Sequence, residues 1–251
     1  MKKKSLKYFI LSGVCFLIFV IYTICVKFVD VAQIGPNNSS VGFSTINSFV
    51  HNLFGVNFTI YNITDWGGVV ALIPAVVFAI IGLIQLIKRK SIKKVDKNIM
   101  ALGIFYIATI LVYIFFEFVV INRRPVLING YLEASYPSST TILSLTFLLS
   151  LIYQINVYVS SKKVNICLQV VTYLYCAFLV VGRLVSGVHW FTDILGGIII
   201  SIALLLFYYG LLYTFKSTSR LEKAKEVVNN QTKETTQEQN EKENWYFNIQ
   251  I

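Results

Sequence analysis

Six apolar runs, each long enough to cross a bilayer, constrain this chain more than anything else in it. They are Tyr8–Phe28, Gly67–Ile87, Ile99–Val120, Thr141–Val159, Ile166–Val185 and Trp190–Phe215. A crossing helix needs about 20 mostly apolar residues. Backbone in hydrocarbon must satisfy its own hydrogen bonds, so helices are the expected element. The composition agrees: 56% of residues are hydrophobic and 14% charged, where a soluble domain carries roughly a quarter charged. The sequence therefore predicts an all-α integral membrane protein with six transmembrane helices over residues 1–216. A polar tail over residues 217–251 follows, rich in charge and amide side chains. The basic opening MKKKSLK fits a signal peptide, but the apolar stretch after it is too long and lacks a small-residue cleavage pattern, so it is read as a helix. Pro74 falls inside the second run and predicts a bend there. Cys15, Cys25, Cys167 and Cys176 lie in apolar runs without metal-ligand spacing and read as small hydrophobes.

The cations give the orientation. Lys2, Lys3, Lys4 and Lys7 precede the first run, and six more lie from Lys88 to Lys97. Lys162 and Lys163 separate the fourth and fifth runs, and the last six follow the sixth, from Lys216 to Lys242. Eighteen of the 22 Lys and Arg thus fall on one side. Short loops rich in Lys and Arg stay cytoplasmic, so a multi-pass cell-membrane protein with both termini in the cytoplasm is expected. The net charge of +10 then reads as a topology signal, with some attraction to anionic lipid, and excludes nucleic acid as the partner. Lys27 ends the first run, where it can snorkel. The other three exceptions are Arg123, Arg124 and Arg183, on the cation-poor side, where arginines need a reason.

Two segments on that side carry the polar chemistry. One runs from Glu117 to Thr141, EFVVINRRPVLINGYLEASYPSSTT; the other is VGRLVSGVHWFTD, from Val181 to Asp193. Pro137, Ser138, Ser139 and Thr140 stand directly before an apolar run. Ser and Thr there cap a helix, and a helix N-terminus offers free N–H groups and a positive dipole end that bind phosphate. Arg124 precedes a proline, and arginine recognises phosphate through a planar fork of donors. His189 and Asp193 are four residues apart and share a helix face. A carboxylate beside an imidazole fixes its tautomer and frees the other nitrogen to attack. Arg183, six residues earlier, can hold the group attacked. Each feature alone has a plainer reading, as a cap, an interfacial anchor or a surface histidine; charged groups at the ends of membrane helices are costly and usually functional.

In their order these residues resemble the type 2 phosphatidic acid phosphatase superfamily, which includes lipid phosphate phosphatases and bacterial undecaprenyl diphosphate phosphatases. That family's signature is K-x6-R-P, then P-S-G-H, then S-R-x5-H-x3-D. Here Arg124-Pro125, Pro137-Ser138-Ser139 and Arg183, His189 and Asp193 match it, and the likeness covers roughly residues 99–215. It implies a core bundle from helices 3–6, a site at their outer ends, and no metal or cofactor. It implies His189 as the nucleophile that becomes a phosphohistidine, oriented by Asp193, with Arg124, Arg183, Ser138 and Ser139 holding the phosphoryl oxygens. The expected partner is a membrane lipid phosphate or diphosphate.

Three positions depart from the signature: Glu117 stands for its lysine, Thr140 for the histidine of the second motif, and Gly182 for the serine of the third. The family's second-motif histidine protonates the leaving oxygen, which a threonine hydroxyl cannot do near neutral pH. Loss of a general acid hurts most for a poor leaving group, so a bias toward diphosphates, such as a polyprenyl diphosphate, is expected over simple phosphatidates. Two roles are open to Glu117: to pair with Arg123 or Arg124 and position them, or to supply the missing acid. A non-hydrolysing relative that binds lipid phosphate is the alternative reading; a transporter fits less well, because no arginine lies at mid-span. The first outer connection, Val29 to Trp66, is rich in aromatics, and part of it is expected as an interfacial helix over the pocket mouth. His51 lies there and reads as an ordinary loop residue.

Overall fold

The computed structural model describes residues 2–218, and they fold as helices and connecting loops. The order is α1 Lys2–Phe28, α2 Ser44–Phe54, α3 Phe58–Val70, α4 Ile73–Arg89, α5 Lys97–Phe118, α6 Ser139–Tyr158, α7 Lys162–Val185 and α8 Phe191–Thr218. Six spans are long and apolar enough to cross a membrane, α3 and α4 together forming the second. The expected tail lies outside the described residues apart from its first two positions, which continue α8.

Five of the six spans follow the apolar runs to within a turn or so. The second differs: it begins at Phe58, nine residues before the run does. Asn57 starts it, its side chain accepting the Ile60 N–H at 3.0 Å. The helix is interrupted at Ala71–Leu72 and resumes with Pro74 in the first turn of α4, where proline's missing N–H costs nothing. The interruption lies two residues before Pro74, where the sequence predicts a bend. Part of the connection from Val29 to Trp66 is helical, as α2. Its Asn47 is fully buried, donating to the Gly42 carbonyl and to Thr192 Oγ1 and accepting from the Thr192 N–H.

α6 is the most enclosed span and α8 the next. Because lipid tails are as apolar as leucine, helices in a membrane are held by close packing and by polar contacts. Gln154 of α6 donates to the Tyr208 hydroxyl of α8 at 2.8 Å, and Tyr106 of α5 meets Ser150 of α6 at 3.1 Å. The Phe105 and Tyr208 rings stack at 4.8 Å. α1 runs antiparallel along α8: Ser5 donates to the Gly210 carbonyl, Ser12 to that of Ala203 and Tyr22 to that of Thr192. α3 lies along α7, where the Tyr175 hydroxyl donates to the Gly67 carbonyl at 2.8 Å.

The loop from α5 to α6 is a small hairpin. Arg124 N–H donates to the Glu133 carbonyl and Ser135 N–H to that of Asn122. Its tip is Asn129-Gly130, with φ of 49° and 82°, the backbone that a two-residue hairpin turn demands. This element brings Arg123 and Arg124 back over the starts of α6 and α8.

Candidate active site

A cavity of about 570 Å³ opens among α3, α5, the hairpin and the starts of α6 and α8. Arg124, Ser139 and His189 line it, as do Asp65, Glu117 and Glu133 with Tyr61, Tyr113 and Tyr136. The fold thus brings Arg124 and His189, 65 residues apart in the chain, into contact: Arg124 Nη1 is 3.3 Å from His189 Nε2.

That contact fixes the tautomer. Guanidinium has only donors, so Nε2 accepts, and the proton of a neutral imidazole sits on Nδ1. Nδ1 faces Asp193, whose Oδ2 is 3.6 Å away, longer than a hydrogen bond. Burial, reinforced by the charges of Arg124 and Arg183, holds the imidazole pKa well below its usual range, while the Ser135 backbone acts weakly the other way. His189 is therefore neutral near pH 7, with a lone pair on the nitrogen that faces the cavity.

Asp193 is fully buried. Its Oδ2 accepts the Trp190 N–H at 2.9 Å and so caps α8 from its own first turn. Its carbonyl accepts the Ser138 N–H at 3.0 Å, which ties the starts of α6 and α8 together. Asn122 and Ser135 approach the same carboxylate without closing geometrically strict bonds. The Trp190 indole donates to the Arg123 carbonyl at 2.7 Å, so hairpin and third motif are held as one piece.

Ser138 and Ser139 behave differently from each other. Ser138 is fully buried and caps α6, its Oγ accepting from the Thr141 hydroxyl at 3.0 Å and the Thr141 N–H at 3.4 Å. It is engaged by the fold and does not line the cavity, whereas Ser139 does.

Arg183 lies behind the cavity wall, 1% exposed. Its Nη2 donates to Asp65 Oδ1 at 3.0 Å, its Nη1 to the Tyr61 carbonyl at 3.5 Å, and its Cζ sits 4.8 Å over the Tyr61 ring. All three contacts come from one turn of α3. Arg124 has a carboxylate of its own: Glu133 Oε2 is 3.0 Å from its Nε. The pairing open to Glu117 is thus taken by Glu133, and Arg123 donates to the Leu132 carbonyl instead. Glu117 lines the cavity beside Tyr113. His51 packs on the Trp190 ring at 5.5 Å and is absent from the cavity lining.

Positions 140 and 182 share a neighbour. The Thr140 methyl sits where a Cβ on Gly68 would be 2.9 Å away, and a Cβ on Gly182 would meet the Thr64 methyl at 2.5 Å. Tyr61, Thr64, Asp65 and Gly68 form one face of α3, with the i, i+3, i+4, i+7 spacing, and that face closes over both positions.

Sequence reasoning missed Asp65, Tyr61 and Glu133. Asp65 did carry a signal, being the sole acidic residue between Asp30 and Asp96 and standing at the edge of an apolar run.

The pattern of the PAP2 superfamily matches residues 74–217, more than half of the chain. No curated protein matches it. Among solved structures, a transmembrane PAP2-type phosphatidylglycerolphosphate phosphatase from Bacillus subtilis shares the fold, with a TM-score of 0.51 and 19% identity. That likeness covers 82% of this chain and 96% of the other. A six-span helical bundle with an arginine–histidine contact at one end, and a match across its last four spans and most of α4, make this chain a multi-pass membrane protein of the PAP2 superfamily.

Proposed function

We propose that this protein hydrolyses a lipid phosphate or diphosphate at the outer membrane face through a phosphohistidine. The observation that carries the reading is the 3.3 Å approach of Arg124 Nη1 to a neutral, cavity-facing His189 Nε2. A phosphoryl group entering there meets a nucleophile and a donor together. Nε2 forms a bond to phosphorus as the P–O bond to the leaving group breaks, its electron pair staying on the leaving oxygen. The proton on Nδ1 remains, and Asp193 balances the charge that develops on the ring. Water then attacks phosphorus, the N–P bond breaks, and inorganic phosphate leaves with His189 restored. Arg124, Arg183 and the start of α6 at Ser139 supply donors to the phosphoryl oxygens. The family likeness implies no metal or cofactor. The sidedness is supported by the cations: the described loops that carry them join the ends of the spans remote from the cavity.

Thr140, packed on Gly68 and off the cavity lining, has no means to protonate a leaving alkoxide. General acid help is worth about 10²–10⁴ in rate. A diphosphate needs less of it, since its leaving group is a phosphate monoester whose second pKa is about 6. The test is phosphate release by the purified full-length protein from a labelled polyprenyl diphosphate and from phosphatidate. Release that favours the diphosphate and disappears in His189→Ala is expected. Release that survives in His189→Ala would overturn the mechanism, equal turnover of phosphatidate would overturn the bias, and lipid binding with no release would mark a non-hydrolysing relative.

A further inference from the structure

α3 lies outside the residues that match the family, 58–70 against 74–217, yet among the described residues it supplies the hydrogen-bond, ion-pair and ring partners of the Arg183 guanidinium. We infer that Asp65 is a positioning residue: its carboxylate fixes the fork of Arg183, and through Arg183 the phosphoryl group. The inference rests on the functional reading above.

Five observations carry it. Asp65 and Tyr61 are one helical turn apart, and together they engage both terminal nitrogens and one face of the guanidinium. The third nitrogen, Nε, is buried without a partner among the described residues. The Nε–H and the second N–H of each terminal nitrogen are therefore left uncommitted, and their direction is set by how Asp65 and Tyr61 hold the fork. A guanidinium that is 1% exposed has no water to fall back on, so its orientation depends on these partners. α3 itself is locked on α7, by Tyr175 donating to the Gly67 carbonyl and by Thr64 seated on Gly182. The Asp65 side chain is half exposed and lines the cavity that holds His189 and Arg124, so it also sets the local charge. With Asp65 on Arg183 and Glu133 on Arg124, both guanidinium charges are compensated. Catalysis then depends on donor direction more than on net attraction for phosphate.

This has a signature that a merely structural role lacks. Asp65→Asn keeps the shape, removes the charge and frees the fork to turn. The expected result is a kcat lowered by about 10–100-fold, the scale of an ångström-level misplacement, with KM unchanged or lower. Inorganic vanadate, as a phosphoryl mimic, should bind no more weakly than to wild type, because one negative charge has left the cavity. Asp65→Glu, which retains the charge, should recover part of the rate. In the double variant with Arg183→Gln, Asp65→Asn should add little further loss, since the two act as a unit. Monodisperse elution of each variant checks folding. Wild-type kcat in Asp65→Asn, or a loss fully additive with that of Arg183→Gln, would overturn the inference while leaving the phosphatase reading intact. A wild-type protein that neither releases phosphate nor binds vanadate would overturn the functional reading, and this inference with it.

Discussion

Restoring the family's serine at position 182 should damage this protein. A Cβ there would stand 2.5 Å from the Thr64 methyl, where carbon atoms prefer about 3.5–4.0 Å. The overlap exceeds an ångström, and Thr64 is poorly placed to yield. Its hydroxyl donates to the carbonyls of Ile60 at 2.8 Å and Tyr61 at 3.0 Å, so rotating the methyl away breaks both bonds. The remaining response is for α3 to move off α7. Overpacking of this kind costs about 1–3 kcal/mol, and at about 2–4 °C per kcal/mol for a chain of this size the unfolding midpoint of Gly182→Ser in detergent should fall by about 2–12 °C. Displacing α3 also draws Asp65 away from Arg183, so phosphate release should fall with it. Thr64→Ser removes the offending methyl and keeps the hydroxyl. Placed in the Gly182→Ser background, it should restore most of the midpoint, while alone it should do little. A Gly182→Ser protein as stable as wild type, or a double variant no better than the single, would refute the idea that Gly182 exists to admit α3.

Two further outcomes follow from the site. His51 and His189 are both held below the ordinary histidine range, chiefly by burial, with Arg124 and Arg183 adding to the effect on His189. A depressed folded-state value means that the neutral form is favoured by the fold. This stabilisation is complete above the unfolded pKa, about 6.5, and is lost as pH falls from there toward the folded values. The unfolding midpoint should therefore drop on acidification below about pH 6.5 and drop less in His189→Gln, whereas kcat/KM should hold down to about pH 6 because the nucleophile stays unprotonated; an acid limb centred on the ordinary histidine value would contradict this. At the hairpin tip, Gly130 has φ of 82° and open space around a would-be Cβ, so Gly130→Ala should cost only left-handed strain, about 1–2 kcal/mol. It should weaken vanadate binding through the Arg124–Glu133 rung, and unchanged binding would show that the turn does not set Arg124.

What could be read from the sequence follows from how far each signal reaches. Apolar run length reports the bilayer directly, so the spans emerged with nearly correct limits except where α3 extends the second. There Tyr61, Thr64 and Asp65 interrupt the run, because that face packs on α7 and the site, and hydropathy registers only the lipid-facing part. The arginines, histidine and aspartate of the candidate site were legible because such groups at membrane-helix ends demand a reason. Their partners were not. Glu133 reaches Arg124 through a hairpin loop whose signal, Asn129-Gly130, lies between arms of only a few residues, and Asp65 reaches Arg183 across 118 positions. Ser138 illustrates the converse. Its type suits both a cap and a phosphate donor, and only the neighbouring Thr141 and Asp193 reveal that its Oγ accepts as a cap and its N–H is already bonded.

The departures from the family signature are best understood together. Viewed singly, Gly182 is a lost hydroxyl and Thr140 a lost acid. Both lie under the same face of α3, and that face also carries Tyr61 and Asp65, which hold Arg183. A helix close enough to place a carboxylate 3.0 Å from Arg183 must pass close to positions 182 and 140, which leaves room for no Cβ at the first and puts Gly68 against the side chain of the second. The site thus has a threonine at position 140 and takes an aspartate and a tyrosine from outside the matched region. It follows that Thr140→His alone should not confer fast phosphatidate turnover, because the neighbouring helix occupies the space the imidazole needs. Full recovery of phosphatidate hydrolysis by that single change would show instead that α3 is a bystander and that only the acid was missing.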